Sequence, residues 1–250
     1  MAKKKKELLT SDRIKEIYAM LKKSKLKISS INIIKENELF CLPILNEALT
    51  HTSTNSASNH ERLEFLGDAV LRLAASEFIE KNFPNMKVGE RSALRSQLVS
   101  DKWLTTVGEE ISIEKIITTG RKASQDSSAK ETLQAEATEA IIGALYECLK
   151  DIEVIKNWLT PFWIKESQKV LSDPNKNNSK SALQEWTQAK GLSLPKYITK
   201  EICQEHNNPK RFICIVHIKN NPISEGWGKS RKEAEKEAAR SAMEYLNKSK

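Results

Sequence analysis

The run Glu61-Arg62-Leu63-Glu64-Phe65-Leu66-Gly67-Asp68-Ala69-Val70-Leu71 constrains this chain more than any other stretch. Glu61, Glu64 and Asp68 stand at i, i+3 and i+7, and Leu63, Leu66 and Val70 fill the complementary positions. At 3.6 residues per turn both sets fall on faces of a helix, one acidic and one apolar. Three carboxylates on one stripe repel each other. A divalent cation removes that cost, because hard cations take oxygen ligands.

A second segment has the same character. In Ala135-Glu136-Ala137-Thr138-Glu139-Ala140-Ile141-Ile142-Gly143, Glu136 and Glu139 are i, i+3 partners among small residues that permit close helix approach. If the two helices pack, Glu64, Asp68, Glu136 and Glu139 meet in one site able to hold one or two Mg²⁺ ions. The spacing alone also fits an acidic surface stripe on each helix, which is the commoner arrangement. Helical periodicity recurs at Leu94, Leu98 and Val99, and at Ile141, Ile142, Leu145 and Leu149, so residues 1–171 read as all-α.

The polar stretch 172–179 carries a proline and no apolar residue, and reads as a linker. Beyond it the pattern changes. Ser181–Lys190 reads as a helix closed by Gly191. Lys196–Gln204, Arg211–Ile218 and Pro222–Trp227 read as strands, and an Ala-rich helix follows Gly228-Lys229-Ser230. The order is α-β-β-β-α, a small α+β domain. Charge divides along the same lines: residues 1–27 carry +7, residues 28–179 carry −5 and residues 180–250 carry +6. A basic end joined to an acidic centre suggests one part that attracts a polyanion and another that holds positive charge.

No apolar run reaches the roughly 18–20 residues a bilayer span requires. No apolar stretch follows the N-terminal lysines as a secretory signal would demand. Cys41, Cys148, Cys203 and Cys214 form no C-x-x-C pair, so neither a disulfide framework nor a thiolate zinc site is expected, and a reducing cytoplasm fits.

The run from Glu61 to Leu71 resembles the signature of the ribonuclease III family in an almost unbroken match. Ala48-Leu49-Thr50-His51-Thr52-Ser53 is similar to the segment that precedes it there, and Glu131-Thr132-Leu133 through Gly143 to the family's second acidic motif. The C-terminal segment resembles the double-stranded RNA-binding domain of the same enzymes.

The resemblance implies an all-α endonuclease domain at 1–171 (1–10 a disordered basic arm), a linker at 172–179 and the RNA-binding domain at 180–250. It implies a Mg²⁺-dependent homodimer, with Mn²⁺ able to substitute, and no small-molecule cofactor or membrane partner. The enzyme would cut double-stranded rRNA and mRNA precursors by attack of an activated water, leaving 5′-phosphate and 3′-hydroxyl ends. Carried over by position, Glu64, Asp68, Glu136 and Glu139 are the metal ligands, and Glu61 supports the site. Phe65 matches the family's aromatic dimer contact, although a core phenylalanine also fits its place beside the apolar face.

The family usually has Asp where this chain has Glu136. Glutamate keeps the charge and reaches about 1 Å further. His51 and His60 are read as hydrogen-bonding structural residues rather than general bases.

Duplex RNA is read through ribose hydroxyls and phosphates. Gln184 and Glu185 offer groups for the ribose. Lys229, Ser230, Arg231 and Lys232, at a helix start, offer backbone N–H groups and cations for phosphate. The family's usual final lysine is Glu235 here, with Lys236 one position along as a substitute. His206 stands in the loop that often carries a minor-groove histidine. A non-catalytic RNA-binding protein is the rival reading, and the intact carboxylates oppose it.

Overall fold

The computed structural model describes residues 9–121, 129–172, 174–205 and 208–248. Its contacts divide into two compact units, Met1–Ser167 and Gln168–Lys250. Among the described residues, no helix is long and apolar enough to cross a membrane.

The first unit is helical. It contains α1 (Ser11–Lys23), α2 (Ile28–Glu36), α3 (Glu38–Ala48), α4 (Glu61–Asn82), α5 (Val88–Leu98), α6 (Asp101–Glu110), α7 (Lys130–Leu149) and most of α8 (Ile152–Ser172). Helix α7 is the buried axis. Ala135, Ala137, Thr138, Ala140, Ile141, Ile142, Ala144 and Leu145 are all inaccessible, as expected for a helix enclosed on most sides. Helix α4 packs on it where both helices have glycine: a Cβ at Gly67 would stand 2.0 Å from the Glu139 carbonyl oxygen. That contact shifts the buried stripe of α4. Gly67, Leu71 and Ala75 are buried with Leu63 and Val70, whereas Leu66 is half-buried and Leu73 is exposed. At the far end Trp163 of α8 stacks on Trp103 of α6 at 5.9 Å and donates its indole N–H to the Leu98 carbonyl.

The second unit has α9 (Pro174–Ala189), then an antiparallel sheet in the order β1 (Lys196–Glu201), β2 (Phe212–Ile218), β3 (Asn221–Gly228), then α10 (Arg231–Lys248). Strand β2 alternates without interruption. Phe212, Cys214, Val216 and Ile218 are buried against Leu183 of α9 and Ala234, Ala238, Ala239, Ala242 and Met243 of α10.

Three boundaries differ from the sequence reading. The stretch expected to be a linker is helical from Pro174, a residue tolerated at the first helical position. Its last residue, Ser179, is buried and donates its hydroxyl to the Lys236 carbonyl. The β2–β3 turn lies at Lys219-Asn220 rather than Asn220-Asn221. Both residues have positive φ (50° and 67°), the backbone that two-residue hairpins require, so β3 starts at Asn221. Strand β1 ends at Glu201, before Gln204.

Candidate active site

Helix α4 begins directly after His60, so Glu61 and Glu64 lie in its first turn, where the helix dipole partly offsets their charge. Asp68 follows one turn later. Because α4 meets α7 at the glycine contact, this acidic face opens onto Glu136 and Glu139 of α7. The five carboxylates line one open cleft of about 510 Å³, with His51, His60 and Phe65 at its edges. The five acidic residues predicted from the sequence are thus brought together from two helices.

The charges are not balanced. The carboxyl of Glu139 is pushed up to about 8, first by burial, then by Asp68, Glu64 and Asp101 nearby and a hydrogen bond with Asp68. Glu64 is also raised, by burial first and then by Glu136, Glu61, Asp101 and Asp68. Arg72 donates through Nε to Asp68 Oδ1 at 2.6 Å, one turn along α4. His60 Nε2 lies 3.2 Å from Glu64 Oε2 and 3.8 Å from Glu136 Oε2, and His51 Nε2 lies 3.4 Å from Glu136 Oε2. Burial, and then the neighbouring His51 ring, lowers the pKa of His60, so that ring is a neutral donor near pH 7. An oxygen-rich cleft whose central carboxyl holds its proton to near pH 8 fits a hard divalent cation, which would replace that proton. The imidazoles beside Glu136 widen the donor set, and His51, His60 and Glu136 alone present ligand atoms within 4.8 Å of one another.

Sequence reasoning missed two features of this site. Asp101, at the start of α6, adds charge to both Glu64 and Glu139, and only packing brings it there. The two histidines, read as structural, stand at the cleft with their Nε2 atoms toward carboxylates. Phe65 is 82% exposed, which removes the alternative of a core phenylalanine.

In the second unit Gln184, Glu185, Lys229, Ser230, Arg231 and Lys232 are exposed, the first two on α9 and the others at the start of α10. The Ser230 hydroxyl is engaged as the N-cap of α10, accepting from the Glu233 N–H at 3.2 Å. Lys236 is half-buried. Glu235 pairs with Lys180 at 2.6 Å, so the carboxylate at this place has a structural partner. His206 lies outside the described residues.

Residues 43–159 match the family model described as Ribonuclease-III-like, and residues 179–246 match the double-stranded RNA binding motif. The chain is 57% identical over 239 residues to Ribonuclease 3 of Prochlorococcus marinus, covering 96% of both proteins. It is 39% identical over 200 residues to Ribonuclease 3 2 of a Nostoc species, covering 80% of this chain and 83% of that one. The nuclease domain of ribonuclease III from Campylobacter jejuni superposes with a TM-score of 0.50 at 27% identity, over 60% of this chain and 97% of that one. The chain belongs to the ribonuclease III family, metal-dependent endoribonucleases of double-stranded RNA, and carries its RNA-binding domain behind the nuclease domain.

Proposed function

We propose that Glu64, Asp68, Glu136 and Glu139 hold Mg²⁺, for which Mn²⁺ substitutes, and that Glu61 supports them from the cleft edge. The observation that carries this reading is the convergence of five carboxylates in one cleft, with Glu139 driven to about 8 by burial and then by its neighbours. Bound there, the ion supplies a more acidic water and neutralises charge on the scissile phosphate. The protein's own part is placement. Asp68 is fixed by Arg72, Glu139 is fixed by Asp68, and the crossing of α4 and α7 sets the spacing. No cysteine, serine or threonine is needed as a nucleophile. Water attack on a backbone phosphorus with the 3′-oxygen leaving gives 5′-phosphate and 3′-hydroxyl ends.

The nuclease function resides in residues 1–171, and duplex recognition in residues 180–250. Gln184 and Glu185 contact ribose hydroxyls. Lys229, Arg231 and Lys232, with the backbone N–H groups of Arg231 and Lys232 and with Lys236 one turn on, contact phosphates. Ser230 orders that helix start through its cap.

The active form is a homodimer in which Phe65 inserts into the partner. Its 82% exposure and that of Leu73 (53%) on the same helix support this. The Campylobacter nuclease domain is likewise described as having a region involved in dimer formation. The substrates are duplex segments of rRNA and mRNA precursors in the cytoplasm.

The test is a long RNA duplex incubated with and without Mg²⁺. Cleavage requires Mg²⁺ and is lost in Asp68→Asn and Glu139→Gln, which still retard the duplex in a gel. Retardation without cleavage by the unaltered protein in Mg²⁺ overturns the reading.

A further inference from the structure

The histidine side of the cleft is held tightly. The segment before α4 is pinned through its backbone. His51 donates its N–H to the Thr118 carbonyl at 2.9 Å, and Thr118 donates back to the Leu49 carbonyl at 2.8 Å. Arg13 of α1 braces that strand-like contact from outside, donating to the Ile116 carbonyl and the Thr118 hydroxyl. Gly120 donates its N–H to Ser53 Oγ at 2.9 Å. The scaffold under His51 is therefore set by three separate parts of the chain.

The same scaffold selects the tautomer. The Ser53 N–H donates to His51 Nδ1 at 3.0 Å, so Nδ1 is the acceptor and the ring proton sits on Nε2, the atom nearest Glu136. The His60 ring is 97% buried, and its Nδ1 has no partner. With the proton on Nε2, that N–H has Glu64 Oε2 3.2 Å away and Glu136 Oε2 farther off at 3.8 Å, and only an acceptor is left unmatched. The two rings lie 4.8 Å apart, and both Nε2 atoms stand near the same oxygen, Glu136 Oε2, that of His51 at 3.4 Å and that of His60 at 3.8 Å.

We propose that His51 and His60 are positioning residues that hold the Glu136 carboxylate in a defined orientation for metal. The inference rests on the reading of Glu136 as a ligand. Its physical content is conformational. A glutamate has one more rotatable bond than an aspartate, and freezing a free rotor on binding weakens affinity. The imidazoles order Glu136 before the ion arrives. Their action is through Glu136, and neither ring is required to touch RNA.

The experiment measures Mn²⁺ binding to the full chain without RNA, by electron paramagnetic resonance of the free ion, alongside the Mg²⁺ dependence of duplex cleavage. His51→Ala is expected to weaken Mn²⁺ binding about five- to tenfold and to raise the Mg²⁺ half-saturation by the same factor, with the loss in half-saturation rather than in kcat at saturating Mg²⁺. His51→Gln, which keeps a side-chain N–H donor, recovers most of the affinity. Should His51→Ala fail to fold, as judged by its melting curve, His51→Phe fills the ring's volume without an N–H donor and is expected to weaken Mn²⁺ binding by the same factor.

A double-mutant cycle decides the matter. In Glu136→Asp, where the carboxylate is too short to reach the rings, adding His51→Ala changes Mn²⁺ affinity less than twofold. A full-sized effect in that background overturns the proposal while leaving Glu136 as a ligand. Unchanged Mn²⁺ binding in Glu136→Gln overturns both that ligand assignment and the proposal built on it.

Discussion

Gly67 of α4 and Gly143 of α7 meet backbone to backbone. A Cβ added at Gly143 would lie 2.1 Å from the Leu63 carbonyl oxygen and 3.0 Å from the Gly67 nitrogen. Neither obstacle is a flexible side chain, so any larger residue must push the helices apart. Gly67→Ala and Gly143→Ala are each expected to destabilise the nuclease unit by about 1–3 kcal/mol, the usual range for overpacking. Because the same crossing spaces Asp68 from Glu139, cleavage falls by more than the loss of folded protein explains. Urea unfolding and Mg²⁺-dependent cleavage at a temperature where both variants remain folded separate the two effects.

The elevated Glu139 carboxyl gives the metal-free protein a signed pH dependence. Its folded value of about 8 lies above the ordinary 4.5, so between those values the folded state holds more protons than the unfolded state. Stability from this group is therefore fullest below pH 4.5 and declines as pH rises through 8. A bound cation removes the proton. Apparent Mg²⁺ affinity is expected to fall about tenfold per pH unit below 8. Melting curves with and without Mg²⁺ at pH 6 and pH 8.5 check this, with the larger Mg²⁺-induced increase at pH 8.5. In Glu139→Gln the metal-free decline from this group disappears.

Much of this site was legible in the sequence because helical spacing fixes which side chains share a face. The 3.6-residue repeat put Glu61, Glu64 and Asp68 on one face and Glu136 and Glu139 on another, but a surface stripe fits that spacing too, and the resemblance to ribonuclease III joined the two faces into one site. Asp101 was not legible. It opens a third helix, and only the packing of α6 against α7 carries its charge toward the cleft. The histidines were visible as residues but not as partners of Glu136, since the contact depends on the Thr50–Thr118 bridge closing a loop across 68 positions. In the second unit the alternation of β2 announced a half-buried strand. The start of α9 was hidden, because a polar, proline-bearing segment looks the same in sequence whether it links two units or opens a helix.

Phe65 offers a clean separation of folding from assembly. Its side chain is almost fully exposed in the single chain, so Phe65→Ala removes little intramolecular packing. Buried aromatic anchors at interfaces contribute about 2 kcal/mol or more each. The variant is expected to shift sedimentation toward monomer by at least about thirtyfold in dissociation constant, while a truncated side chain on an exposed surface leaves secondary structure by circular dichroism unchanged. Unaltered sedimentation would remove Phe65 from the interface.

The RNA-binding unit yields a prediction about salt rather than about chemistry. Each phosphate contact releases condensed counterions, so losing one lowers the slope of log affinity against log salt by about one. Lys232→Ala is expected to reduce both affinity and slope by that single contact across unrelated duplex sequences. Glu235→Lys works in the opposite direction. Its carboxylate now pairs with Lys180 at 2.6 Å on a partly exposed surface, where such a pair contributes about 0–1 kcal/mol. Reversing the charge loses that pair and the Thr199 Oγ1 contact at 3.4 Å, leaves Lys180 over the Tyr197 ring and adds a cation one turn into α10. Duplex affinity should therefore rise and its salt slope steepen. Filter binding between 50 and 300 mM KCl, in Ca²⁺-free and Mg²⁺-free buffer so that the duplex stays intact, measures both changes, and a slope unmoved by either substitution would place the phosphate contacts elsewhere on this domain.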